Sequence, residues 1–93
     1  MVKHIVLFKL KDQNDRQRAI DALRDMKGKI KGMIDLEAGE DFLSSGRSFD
    51  IALTCTLIDR AALDFYQAHP AHQPAKKLMH EIQESSVSVD YEI

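Results

Sequence analysis

Near the start of the chain, Lys3 to Lys11 alternates as a strand does, yet both of its faces are apolar. Ile5 and Leu7 point one way, and His4, Val6, Phe8 and Leu10 point the other. A strand of this kind belongs at the centre of a sheet, covered on both sides. Helices can form one cover. A chain of 93 residues has little left to form the second, because a domain of this length buries only roughly 60–65% of its unfolded surface. The second cover is therefore expected to come from another copy of the same chain.

The rest of the chain reads as one domain over residues 1–93. Asp12 and Asn14 offer caps for a helix running to about Ile30, with Ala19, Ile20, Leu23, Met26 and Ile30 as its apolar stripe. Gly28 is awkward inside it, and Gly32 is a natural terminator. Met33 to Phe42 alternates, with Ile34, Leu36 and Ala38 on one face. The polar run Leu43 to Ser48 supplies turn residues, and Phe49 to Ile58 is a second strand with two apolar faces. One face carries Phe49, Ile51, Leu53, Cys55 and Leu57, and Ala52, Thr54, Thr56 and Ile58 take the other. The two strands read as an antiparallel hairpin.

Asp59 caps a second helix with Ala62, Leu63 and Tyr66 inward, which Pro70 must end. A further helical segment runs from about Ala71 to Glu84 along Ala75, Leu78, Met79 and Ile82, with Pro74 in its first turn. Val87, Val89, Tyr91 and Ile93 then alternate with Ser86, Ser88, Asp90 and Glu92 as a half-polar strand. The order is β-α-β-β-α-β, an α+β ferredoxin-like unit with a four-stranded antiparallel sheet. Its helix-free sheet face would carry Ile5, Leu7, Ala52 and Ile58. Two copies packed through that face would close an α+β barrel, and a homodimer is expected.

Charge and composition exclude several classes. A formal net charge of −2, with 30% charged and 44% hydrophobic residues, gives no basic surplus for nucleic acid and no polybasic run for a membrane. The longest apolar run near the N-terminus, Ile5 to Phe8, is too short to span a bilayer. Met1-Val2-Lys3-His4 does not resemble a signal peptide, and the single Cys55 cannot form an internal disulfide. A soluble cytoplasmic protein is the expectation. No cofactor is expected, since there is no phosphate loop and no dinucleotide fingerprint.

Tyr66-Gln67-Ala68-His69-Pro70-Ala71-His72 concentrates the chemistry: a phenol and two imidazoles around a helix-breaking proline. A neutral imidazole accepts a proton near neutral pH, and a tyrosine hydroxyl can orient it or donate to a developing enolate. His72 with Tyr66 is the candidate catalytic pair. The bland reading makes Tyr66 core and His72 a helix-start residue satisfied by backbone. His69, just before the proline, is expected to shape the turn. His4 either faces a cavity or is a hydrogen-bonded structural residue, and His80 reads as surface. His69 and His72 lie three apart, but the proline breaks their common face and no carboxylate or cysteine joins them, so no metal is expected. Cys55 reads as a small buried hydrophobe.

His4-Ile5-Val6-Leu7-Phe8-Lys9, Asp50-Ile51-Ala52-Leu53, Tyr66 with His69-Pro70-Ala71-His72, and Val89-Asp90-Tyr91-Glu92 together resemble the stress-responsive dimeric α/β-barrel (Dabb) family over essentially the whole chain. The resemblance implies a ferredoxin-like protomer in an intimate homodimer. One branch of the family is similar to plant polyketide cyclases, which close poly-β-keto thioesters by intramolecular aldol chemistry. There the histidine matching His72 acts as general base, the tyrosine matching Tyr66 assists, and the histidine matching His4 lines the pocket. Those cyclases carry a further histidine in the third strand, where this chain has Ile51. The expected site is a pocket for a small apolar or weakly polar molecule. Val6, Phe8, Ile51, Leu53, Tyr66 and Leu78 would form its walls, with His4, His69 and His72 as its polar groups. A lyase or cyclase, or a structural stress protein whose cavity is merely core, are the alternatives.

Overall fold

The computed structural model describes residues 1–93. Four strands form one sheet: β1 (Val2–Leu10), β2 (Met33–Glu40), β3 (Ile51–Leu57) and β4 (Gln83–Glu92). Their order is β2-β3-β1-β4 and every pairing is antiparallel. The two strands that are apolar on both faces, β1 and β3, are the central pair. Three helices, α1 (Arg16–Arg24), α2 (Arg60–Ala68) and α3 (Gln73–Ile82), complete the ferredoxin-like order.

Buried apolar groups mark the helix-covered face. Phe8 and Leu10 of β1 and Ile51, Leu53, Cys55 and Leu57 of β3 meet Ala19, Ile20 and Leu23 of α1 and Ala75, Met79 and Ile82 of α3. The register Ile5↔Val89, Leu7↔Val87 and Leu7↔Ala52 places these residues together on the opposite face. No element of this chain covers it, and Val87, Val89 and Tyr91 stay about half exposed. The half-polar β4 thus turns its apolar side away from the helices. Ser86, Ser88 and Asp90 face the helix side, beside Phe8, Val6 and His4.

Caps fix where the helices begin. Asp12 accepts from Asn14 N–H at 2.9 Å, opening a 3-10 turn that leads into α1. Asp59 accepts from Ala62 N–H at 2.8 Å, an N-cap worth about 1 kcal/mol. The first helix is shorter than its apolar stripe implies. It ends at Arg24, and the next residues wind through three-residue turns, Lys27 N–H to Arg24 C=O and Lys29 N–H to Met26 C=O among them. Gly28 at φ +79° takes a left-handed conformation that the helix cannot contain. Met26 and Ile30 are nonetheless buried, so the stripe reports core contact beyond the helix itself.

Two further details depart from the alternation. The register of β2 against β3 slips between Met33 and Asp35, and this bulge turns Ile34 out to solvent. Asp50, just before β3, is buried. It accepts Leu10 N–H at 2.7 Å and Arg16 Nη2 at 3.2 Å, tying β1 to the start of α1.

Candidate functional site

Pro70 sets the local geometry. Its ring forces His69 out of the helical region to ψ 138°, α2 stops at Ala68, and a 3-10 turn at Pro70–His72 restarts the chain into α3. His69 Nδ1 accepts from Ala71 N–H at 2.9 Å and caps that turn. Tyr66 on α2 and His72 at the end of the turn are thereby brought together, their ring planes inclined at 56°. Their ring centroids lie 4.3 Å apart. The His4 ring approaches Tyr66 edge-on at 5.7 Å.

These three rings line one open cleft of about 230 Å³ between the sheet and α3. That is below the common range of about 300–1,000 Å³ for ligand pockets, so any occupant is small. Val6, Phe8, Leu23, Leu53, Ala75 and Met79 give it an apolar lining. Gln67, Lys76, His80, Gln83, Ser86 and Ser88 complete it as a largely exposed rim.

Of the residues singled out from sequence, His4, Val6, Phe8, Leu53, Tyr66 and His72 meet at this cleft. Three do not line it. Ile51 is buried at the start of β3, opposite Phe8 in register. His69 is occupied with its turn and stacks edge-on with Phe65 at 5.2 Å. Leu78 is half-buried against the core on α3. Missed from sequence were the β4 serines and Asp90, because a half-polar strand does not announce which side meets helices. His80 is exposed as expected, but it stands on the cleft rim. Its spacing of four from Lys76, and of eight from His72, was a legible sign.

Electrostatics differ sharply between the two imidazoles. His4 Nδ1 pairs with the Asp90 carboxylate. His72 has no acidic partner, and its Nδ1 lies 3.4 Å from Met26 Sδ. Burial, then electrostatic repulsion from Lys76 and from His4, pulls its pKa down to about 4, so it is a neutral imidazole at pH 7. Tyr66 is fully buried and its hydroxyl has no hydrogen-bond partner. The Cys55 thiol lies beside it without hydrogen-bond geometry; burial first, then this neighbour, drives the phenol pKa well above its usual value. Burial likewise pushes the Cys55 thiol up to about 12, so it is no nucleophile.

A profile of the Stress Responsive A/B Barrel Domain, or Dabb, matches residues 2–93. The chain belongs to the Dabb family. An uncharacterised protein of Streptomyces coelicolor is 32% identical to this Dabb domain, covering 99% of each chain. A dimeric protein of unknown function and ferredoxin-like fold from Bacteroides fragilis is 36% identical, with a TM-score of 0.77 over 99% of this chain and 95% of that one. A hydroxynitrile lyase from Passiflora edulis shares the fold at 20% identity, with a TM-score of 0.83 over 99% of this chain and 92% of the lyase. One similar protein is therefore a dimer, and the fold is also that of a lyase. In this Dabb domain no helix is long and apolar enough to cross a membrane.

Proposed function

We propose that this Dabb domain is a homodimer that binds a small, mostly apolar molecule in the cleft between sheet and helices. The observation that carries the reading is the convergence of His4, Tyr66 and His72 on an apolar-floored opening. An ordinary core would have filled that space with hydrocarbon. The uncovered apolar sheet face supports the dimer, as does the dimeric Bacteroides fragilis relative. Ligand-observed NMR against a fragment library tests binding. Saturable binding that perturbs the His72 and His4 imidazole signals is expected. No saturable binder, or binders that leave both imidazoles unmoved, would end the proposal.

A second reading is a lyase or aldol-type cyclase with His72 as general base and Tyr66 beside it. It is favoured by the neutral state of His72 and by a fold shared with a hydroxynitrile lyase. A base with a pKa near 4 is weak at neutral pH, so this reading needs a ligand that raises it. It predicts that His72→Ala abolishes turnover while the dimer persists. Equal turnover in that variant would exclude it.

A further inference from the structure

His72 at the N-cap of α3, then Lys76 and His80 on the helix, follow one another at intervals of four and line one wall of the cleft. The facing wall is the polar side of β4, where Gln83, Ser86 and Ser88 present amide and hydroxyl groups. No aspartate or glutamate lines the cleft. Asp90, opposite His4 on β4, is held by His4 Nδ1. Lys76 itself forms no ion pair or hydrogen bond, whereas Lys27 and Lys29 pair with Asp35 and Asp25. A cationic, donor-rich mouth thus stands over an apolar floor.

We infer that the cleft selects a small amphiphilic carboxylate, its anionic head held at the mouth by Lys76 and the β4 serines and its hydrocarbon body lying toward Phe8, Leu53 and Met79. The inference rests on the reading of the cleft as a binding site and adds the charge of the ligand to it. An ammonium can neutralise such a head, and serine hydroxyls and the Gln83 amide can donate to its oxygens. The same geometry couples the head group to the neighbouring imidazole. Lys76 is one of the charges that depress His72, and a carboxylate beside it would offset that effect. A bound anion would make His72 a better base only when the cleft is occupied.

The test compares octanoate with octanamide, which share a hydrocarbon chain and differ in charge. Calorimetric titration of the wild-type protein is expected to show octanoate binding about tenfold or more tightly, the scale of one charge-assisted contact. Lys76→Gln is expected to erase that difference, and Ser88→Trp, which plugs the mouth from an exposed position, to abolish both. Equal binding of the two ligands in the wild type overturns the anion inference and leaves the cleft as a binding site. An octanoate preference that survives Lys76→Gln overturns it as well. Failure of both ligands to bind overturns this inference together with the reading beneath it.

Discussion

Tyr66 and His72 meet ring against ring at 4.3 Å, yet the tyrosine hydroxyl points to no acceptor and is shut away beside Cys55. The pair is joined by a tilted ring contact, 56° between planes, and not by a hydrogen bond. A buried hydroxyl without a partner costs about 1–3 kcal/mol. Tyr66→Phe should therefore leave stability unchanged or raise it by up to about 1 kcal/mol, measured by urea denaturation. A clear loss would mean that the hydroxyl is satisfied in solution.

Protonation of His72 sets a pH dependence whose sign follows from its depressed pKa. The folded protein holds the proton less tightly than the unfolded chain does, so folding favours the neutral ring. Its contribution to stability is complete above about 6.5, the ordinary value for the ring, and falls away toward about 4. The thermal midpoint should drop across that window, and His72→Gln should flatten the drop. An unchanged pH profile in the variant would contradict the burial of His72 as a neutral group.

Asp50 acts in a lower window. Although its own burial raises its pKa, the Leu10 N–H, Gln13 and the positive charges of Arg16 and Lys9 outweigh that and hold it below 3.8. Its contribution is present above 3.8 and is lost as pH falls below it. Asp50→Ala leaves the Leu10 N–H without its acceptor and should cost about 2–3 kcal/mol in chemical denaturation.

Gly32 is constrained twice. Its φ is +89°, and a Cβ there would stand 2.9 Å from the Ala62 Cβ. Gly32→Ala should destabilise by about 1–3 kcal/mol, whereas Gly46→Ala, with open space around it, should be nearly neutral.

Much of the fold was legible because β1 and β3 carry apolar residues on both faces, a pattern that fits only central strands. The positions of Tyr66 and His72 were legible too, because Pro70 fixes the break between them. Physical reasons explain what was hidden. Met26 and Ile30 continue the apolar stripe of α1 through turns that only the backbone of Gly28 reveals. Ile34 sits in a bulge, and a bulge leaves no mark in an alternating sequence. Most consequential is β4, whose serines face the cleft because its apolar side belongs to the uncovered sheet face. A strand is usually read as packing its apolar side on its own helices, and here that side lies on the sheet face that no helix covers.

That inversion gives its own prediction. Val89 stands opposite Ile5 in the middle of the uncovered face. Val89→Lys would bury a charge against a second copy, and it should turn a dimer into monomers in analytical ultracentrifugation. A dimer unaffected by the change would place the association surface elsewhere.

The central question is whether the cleft takes up a molecule at all. Saturation-transfer NMR of octanoate with the wild-type protein and with Ser88→Trp tests this most directly. Saturable transfer in the wild type, lost when the mouth is plugged while the dimer stays intact, is the predicted result. No transfer in the wild type, or equal transfer in both proteins, would mean that His4, Tyr66 and His72 surround a gap in the core and not a binding site.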